Sequence, residues 1–178
     1  MGSPHYPERV KLVIGLITNN KLVYTKTKKQ LIRYFGNIDY ESMPRPFNFT
    51  DYYGKELGAG LNRYFISFEK LLSPKDLAKI KIITNKLEKK FSVDSRRKIN
   101  IDPGYLNLSK LVLATTKDYK HRIYLDKGIY AEVTLYYQAR TFKSWPWTYP
   151  DYKTKDYIDI FNEIRQIYQK QLKCLPHT

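Results

Sequence analysis

The chain opens its folded pattern with an apolar run, VKLVIGLIT at positions 10–18, which stops at Asn19 and Asn20. Such a run bounded by turn residues predicts a buried central strand. A helix follows, capped by one of the two asparagines, carrying Leu31, Ile32 and Phe35 and ending at Gly36. In IDYESMPRPFNF, Pro44 and Pro46 favour an edge strand or extended arm over a central strand. TDYYGKELGAGLNR reads as a loop or short helical turn. RYFISFE alternates Tyr64, Ile66 and Phe68 with Arg63, Phe65, Ser67 and Glu69, the period of a strand.

Ser73 and Pro74 open a second helix in the favoured cap and first-turn order. On a helical wheel Leu77, Ile80, Ile83, Leu87 and Phe91 share one face, and Lys75, Lys79, Lys86 and Lys90 share another. KINID forms a short strand ending at Asp102, where Pro103 and Gly104 predict a turn. LSKLVLATT fits either period, and Val112, Thr115 and Thr116 favour a strand. HRIYL and IYAEVTLYY form a hairpin. A three-residue loop, Asp126-Lys127-Gly128, sets Leu125 opposite Ile129, Tyr124 opposite Tyr130, Ile123 opposite Ala131, Arg122 opposite Glu132 and His121 opposite Val133. An amphipathic helix runs from Thr154 to Leu175.

This order of elements predicts an α+β fold, ferredoxin-like or a related mixed sheet with packed helices, extended by a C-terminal hairpin and a terminal helix. At 178 residues, 42% of them hydrophobic, the chain suits one domain over 1–178, with residues 1–9 as a flexible N-terminal segment. No stretch is apolar enough for a membrane span or a signal core, and the one cysteine, Cys174, excludes an internal disulfide framework. A cytoplasmic protein is expected. Oligomeric state is not readable.

Charge changes the functional picture. There are 32 Lys and Arg against 17 Asp and Glu, a formal +15, which attracts polyanions through counterion release. The stretch 70–98 holds ten basic and three acidic residues, although a solvated helix face would look the same. Seventeen Tyr and eight Phe, interleaved with cations, suit base stacking, although most of those rings must be core.

Candidate chemistry concentrates between residues 102 and 133. Arg122 and Glu132 form either a cross-strand ion pair beside Tyr124 and Tyr130 or a guanidinium fork held for an anion. His121 is the one histidine away from the chain ends, and is either packed in the core or an acid–base group at the strand rim. Asp102 either fixes a turn or projects into a cleft, and Asp51 is divided between helix cap and site carboxylate. Asp102, His121 and Glu132 are therefore the candidate catalytic groups, with Lys110, Thr115, Thr116, Lys117, Arg122, Tyr124 and Tyr130 as candidate ligand contacts. No metal site is assigned and any cofactor is unknown. The phosphate loop of nucleotide hydrolases is missing, GAG at 58–60 lacks a third glycine, and NKLE at 85–88 only approaches a guanine-reading pattern.

FNFTDYYGKELG, INIDPGYLNLSKLVLATTKDYKHRIYL, GIYAEVTL and WTYPDY together resemble a bacterial family, domain of unknown function 4416, over roughly Lys11 to Tyr168. Members are sometimes labelled GTP-binding. The resemblance implies a single cytoplasmic bacterial domain and carries no catalytic residues across. Three functions stay open: binding a phosphorylated ligand, nucleotide or RNA; an enzyme acting on a phosphate ester or nucleotide; or an interaction domain presenting KSWPWTYPDY. In that last segment Trp145 and Trp147 would otherwise lock the terminal helix to the sheet.

Overall fold

β1 (Val10–Thr18) is buried at all nine positions, as its apolar run predicts, and everything else is arranged around it. The computed structural model describes residues 2–50 and 53–174; Asp51 and His177 lie outside the described residues. The Asn20 side chain accepts hydrogen bonds from the Leu22 and Val23 amides at 3.0 Å, opening α1 (Lys21–Phe35), and Gly36 at φ 93° closes it. β2 (Ile38–Glu41) and β3 (Arg45–Pro46) both pair along β4 (Asn62–Leu72). Between β3 and β4 lies α2 (Gly54–Leu57). A 3₁₀ turn (Pro74–Asp76) leads into α3 (Leu77–Lys90). β5 (Asn100–Leu106), β6 (Lys110–Thr115), β7 (Ile123–Asp126), β8 (Ile129–Gln138) and β9 (Thr141–Ser144) follow, and α4 (Lys155–Lys173) ends the described chain.

The sheet runs β2-β4-β1-β5-β6-β8-β7, with β3 on β4 and β9 on β8. Every pairing is antiparallel. Its first four strands with α1 and α3 follow the ferredoxin-like order; the remaining strands extend that unit on the β5 side. The fold is α+β.

Alternation along the strands feeds two cores. Leu12, Ile14 and Leu16 of β1, with Ile66 and Phe68 of β4, pack against Tyr24 and Leu31 of α1 and Ile80 and Leu87 of α3. Val13, Phe65, Leu106, Leu111 and Leu135 face the other way, onto Tyr157, Phe161, Ile164 and Tyr168 of α4. Fully burying each such side chain contributes about 1.5–3 kcal/mol. α4 therefore leaves β4 buried on both faces over Phe65–Phe68.

Two expected turns take a different form. β5 does not end at Asp102 but runs through Pro103 and Gly104 to Leu106, opposite β1 along its whole length. Pro103 is tolerated because β6 joins β5 only from Gly104 onward, where Gly104, Tyr105 and Leu106 lie opposite Leu113, Val112 and Leu111. A Cβ on Gly104 would sit 2.4 Å from the Val112 carbonyl oxygen, so the two backbones meet closely there. Toward Asn100 they separate, and the sheet opens into a fork. In the hairpin, Ile123 faces Ala131 and Tyr124 faces Tyr130 as expected, but Asp126, not Leu125, faces Ile129. Lys127 and Gly128, at φ 53° and 74°, make a two-residue turn, and a bulge at Leu125 absorbs the spare residue and keeps the outer register.

Trp145 and Trp147 do not lock α4. They stack on each other at 5.1 Å, and Trp145 lies against Tyr136 of β8 while Trp147 stacks on His121. Phe142 and Tyr152 are the residues of that region that pack with α4.

Candidate functional site

The fork between β5 and β6 leaves backbone groups on β5 without a neighbouring strand, and side chains from α3 replace it. Ile101 donates its amide to Glu88 Oε1 at 2.6 Å and its carbonyl accepts from Lys81 Nζ at 3.0 Å. Pro103 has the same strand parity, so the N–H it lacks would also have pointed into the gap. Lys81, Thr84 and Glu88 are buried on α3, three polar side chains along a face that otherwise packs on the sheet. The stripe is rotated toward them, and Ile83 is only half-buried.

Arg63 of β4 forms the floor. Its guanidinium donates to Asp102 Oδ2 at 3.1 Å and to Asp151 Oδ2 at 3.0 Å, and it is only 3% exposed. Phe47, Phe65 and Tyr152 rings surround it at 5.1–5.6 Å. Gly15 makes room: a Cβ there would lie 2.9 Å from Arg63 Nη1 and 3.4 Å from the Tyr152 hydroxyl. Asp102 also accepts from Asn100 Nδ2 at 2.7 Å and lies 3.8 Å from Lys81 Nζ. Arg97 holds Glu56 by two bonds, at 2.6 and 2.7 Å, and reaches Glu88 and Asn100 at 3.1 Å.

These neighbours push the carboxyls apart. Burial raises the Asp102 carboxyl, but Lys81 and Arg63 outweigh it and hold the group below the usual carboxylate range. Burial dominates at Asp151, offset only in part by Arg63, and at Glu88, offset only in part by Lys81 and the Ile101 amide, so both are raised. Burial also drives the Tyr152 hydroxyl well above its ordinary value.

Around this network lies a cleft of about 810 Å³, walled by α3, the open ends of β5 and β6, Glu132 of β8, and the segment Tyr149 to Tyr152. Phe49 and Tyr149, 39% and 43% exposed, stand at its rim with Tyr53. Three buried polar atoms on the lining residues, Arg63 Nε, Glu132 Oε1 and Tyr152 Oη, make no well-formed hydrogen bond among the described residues, although the Arg63 guanidinium also approaches the Tyr157 hydroxyl. The three atoms come from three different elements and include both donor and acceptor. The carboxylates of the wall are already neutralised by Arg63, Lys81, Arg97 and Arg122, and Lys89 of α3 adds positive charge at the cleft's edge.

Of the residues singled out in the sequence, Asp102, Thr115, Thr116, Lys117 and Glu132 line this cleft. Arg122 braces its wall, donating to Glu132 Oε2 at 3.0 Å, the Lys117 carbonyl at 3.0 Å and the Tyr149 hydroxyl at 2.7 Å. His121 precedes β7 instead of lying inside the strand, and its Nε2 is 3.2 Å from Glu132 Oε2. His121 does not line the cleft, and Asp102 is engaged elsewhere, so the three candidate catalytic groups do not form one chain. Lys110 sits at the opposite end of β6, opposite Tyr136. Tyr124 and Tyr130 meet edge to face at 5.5 Å on the outer hairpin. Among the described residues no group of three or more His, Cys, Asp or Glu is placed to hold a metal ion.

The floor residues Arg63, Lys81, Glu88, Arg97 and Asp151 were not apparent from sequence. Two signals existed. Arg63 shares strand parity with the core residue Phe65, and Lys81, Thr84 and Glu88 interrupt the apolar side of α3 at helical spacing.

The family model described as Domain of unknown function (DUF4416) matches residues 8–168. The chain belongs to this family. Every lining residue of the cleft falls inside the matched region, so the fork is part of the DUF4416 domain. No curated protein and no solved structure is detectably similar to this DUF4416 chain. No described helix is long and apolar enough to cross a membrane.

Proposed function

We propose that this DUF4416 domain binds a phosphorylated small molecule of nucleotide size in the fork between β5 and β6. The observation that carries the reading is the trio of buried polar atoms without a well-formed hydrogen bond, Arg63 Nε, Glu132 Oε1 and Tyr152 Oη, on the residues lining one cleft of about 810 Å³. A volume of that size lies within the usual range for small-molecule sites. Unmade bonds on buried groups cost about 1–3 kcal/mol each, and a ligand whose donors and acceptors draw these side chains toward the cleft would recover part of that energy. The deep wall is charge-balanced and suits an uncharged polar moiety; Phe49, Tyr53 and Tyr149 suit a flat ring; Lys89 suits phosphate at the mouth. A cytoplasmic setting fits both such a ligand and a lone thiol.

A thermal-shift series with nucleoside phosphates, sugar phosphates, nucleosides and inorganic phosphate tests this. Stabilisation by a nucleoside phosphate beyond that from the nucleoside or phosphate alone supports the reading. No shift with any member of the series overturns it.

An acid–base enzyme is the second reading, favoured only by the 3.2 Å contact of His121 with Glu132. In that case Glu132→Gln would abolish turnover of a phosphate ester while binding persisted.

A further inference from the structure

One face of α3 changes character part-way along the helix. At about 100° per residue, Ala78, Ile82, Asn85 and Lys89 fall within about 60° of one another. Ala78 and Ile82 pack on β6, in one apolar cluster with Val112 and Ala114. β6 ends at Thr115, and beyond that point the same helix face meets the fork: Asn85 and Lys89 both line the cleft. Thr115 and Thr116 line it from the end of β6.

Asn85 is half-buried and Lys89 exposed, and neither side chain has a hydrogen-bond or ion-pair partner among the described residues. Thr115 Oγ1 accepts from the Lys117 amide at 3.2 Å, which leaves its O–H free to donate. A helix end that simply leaves the sheet would also turn polar, and that accounts for Lys89. It does not account for Asn85, a poor helix former placed inside the helix with its amide unused.

The acids that line the cleft are engaged elsewhere: Asp102 by Arg63 and Lys81, Asp151 by Arg63, Glu88 by Arg97, and Glu132 by Arg122. Lys89 is the one lining cation, among the described residues, without a partner. The edge between α3 and β6 therefore offers an ammonium, an amide and two hydroxyls, a set of donors matched to the three free oxygens of one phosphate monoester. A second and third phosphate would add negative charge that a single ammonium does not balance, with no disengaged carboxylate among the described lining residues to draw a divalent cation there.

We propose that Asn85, Lys89, Thr115 and Thr116 form a subsite for a single phosphate group, so that the ligand of the fork is a nucleoside monophosphate and not a di- or triphosphate. This inference rests on the nucleotide-sized reading of the cleft and narrows its ligand class. Lys89 supplies the charge, the two threonine hydroxyls donate to phosphate oxygens, and the Asn85 amide donates from one helical turn away.

The test measures dissociation constants of the full chain for the mono-, di- and triphosphates of adenosine, guanosine, cytidine and uridine, with and without Mg²⁺, and for the four nucleosides. The unmodified protein is compared with Lys89→Gln and Asn85→Ala. Lys86→Gln, at an exposed position on another side of α3, controls for net charge, and unchanged melting curves without ligand verify the fold. At least one monophosphate should bind about tenfold or more tightly than its nucleoside, and more tightly than its triphosphate, without help from Mg²⁺. Lys89→Gln should weaken that monophosphate about tenfold and Asn85→Ala about threefold, with nucleoside binding unchanged in both and Lys86→Gln without effect. Tighter binding of a triphosphate than of its monophosphate, or a requirement for Mg²⁺, overturns the inference and leaves the cleft reading standing. Full monophosphate affinity in Lys89→Gln, or an equal loss in Lys86→Gln, does the same. Nucleosides that bind as tightly as their phosphates, or absence of binding across the series, overturn both.

Discussion

Arg63 Nη2 donates to Asp151 Oδ2 at 3.0 Å across 88 positions of sequence. The bond ties β4, next to the sheet's central strand, to the segment that leads into α4, and it closes one side of the fork. Because Arg63 also holds Asp102 on β5, a single guanidinium fixes two walls of the cleft.

Replacing it should therefore be costly. Arg63→Met leaves two carboxylates without their cation, and removing one member of a buried pair destabilises by about 3–5 kcal/mol. Chemical denaturation should show an unfolding free energy lower by that amount, with Asp151→Asn less severe because Asp102 keeps the arginine paired. A loss below about 1 kcal/mol would mean the network contributes little.

Asp102 supplies a pH signature. Its carboxyl is held below the usual range by Lys81 and Arg63 against the opposing effect of burial. A depressed folded-state pKa adds stability that is present above the unfolded value, about 3.9, and is lost as pH falls through the folded value. Asp102→Asn should be less stable than the unmodified protein at pH 7 by roughly 1.5–3 kcal/mol, and the gap should narrow below about pH 4. Glu88 and Asp151 are raised, so their contribution has the opposite sign; both proteins share it and the comparison removes most of it. Melting temperatures across pH test the sign, and a gap that widens in acid would contradict it.

Gly15 is required by the site more than by the backbone. Its Cβ would press on Arg63 Nη1 at 2.9 Å and on the Phe65 ring at 3.2 Å. Gly15→Ala should cost about 1–3 kcal/mol by overpacking and weaken ligand-induced stabilisation, because the arginine must shift. Full ligand response in a destabilised variant would separate Arg63 from binding.

Much of this arrangement was legible in the residues. The apolar run of β1, the Asn20 cap, the Gly36 stop and the alternation of β4 give the ferredoxin-like unit. Local rules placed half of the cleft as well, since β-branched residues marked β6, which ends at Thr115 next to Thr116, and the hairpin pattern marked β8, which carries Glu132. The floor was hidden for a tertiary reason. Arg63 and Asp151 are far apart in sequence, and only the packing of α4 on the second sheet face makes Arg63 a buried residue. The Pro103-Gly104 pair signalled a break, which occurs between β5 and β6 and not within the chain of β5. Turn chemistry identified Gly128 but not that Lys127 also takes positive φ.

That last residue offers a control away from the site. Lys127 at φ 53° occupies a turn position where Asn is preferred. Lys127→Asn should stabilise the protein by a few tenths to about 1 kcal/mol, measured by denaturation, and leave ligand response unchanged. Destabilisation would place the turn in another conformation.

On the proposed function, ligand binds in the fork between β5 and β6. Backbone chemical-shift mapping by NMR during titration with a nucleoside phosphate tests it most directly. The account predicts perturbations centred on Arg63, Ile101, Asp102, Thr115 to Lys117, Glu132 and Tyr149 to Tyr152, reduced in Gly15→Ala. Perturbations centred on the outer hairpin at Tyr124 and Tyr130, or on the shallow groove between α1 and β2 lined by Lys28, Ile32, Asp39 and Glu41, with the fork silent, would contradict it.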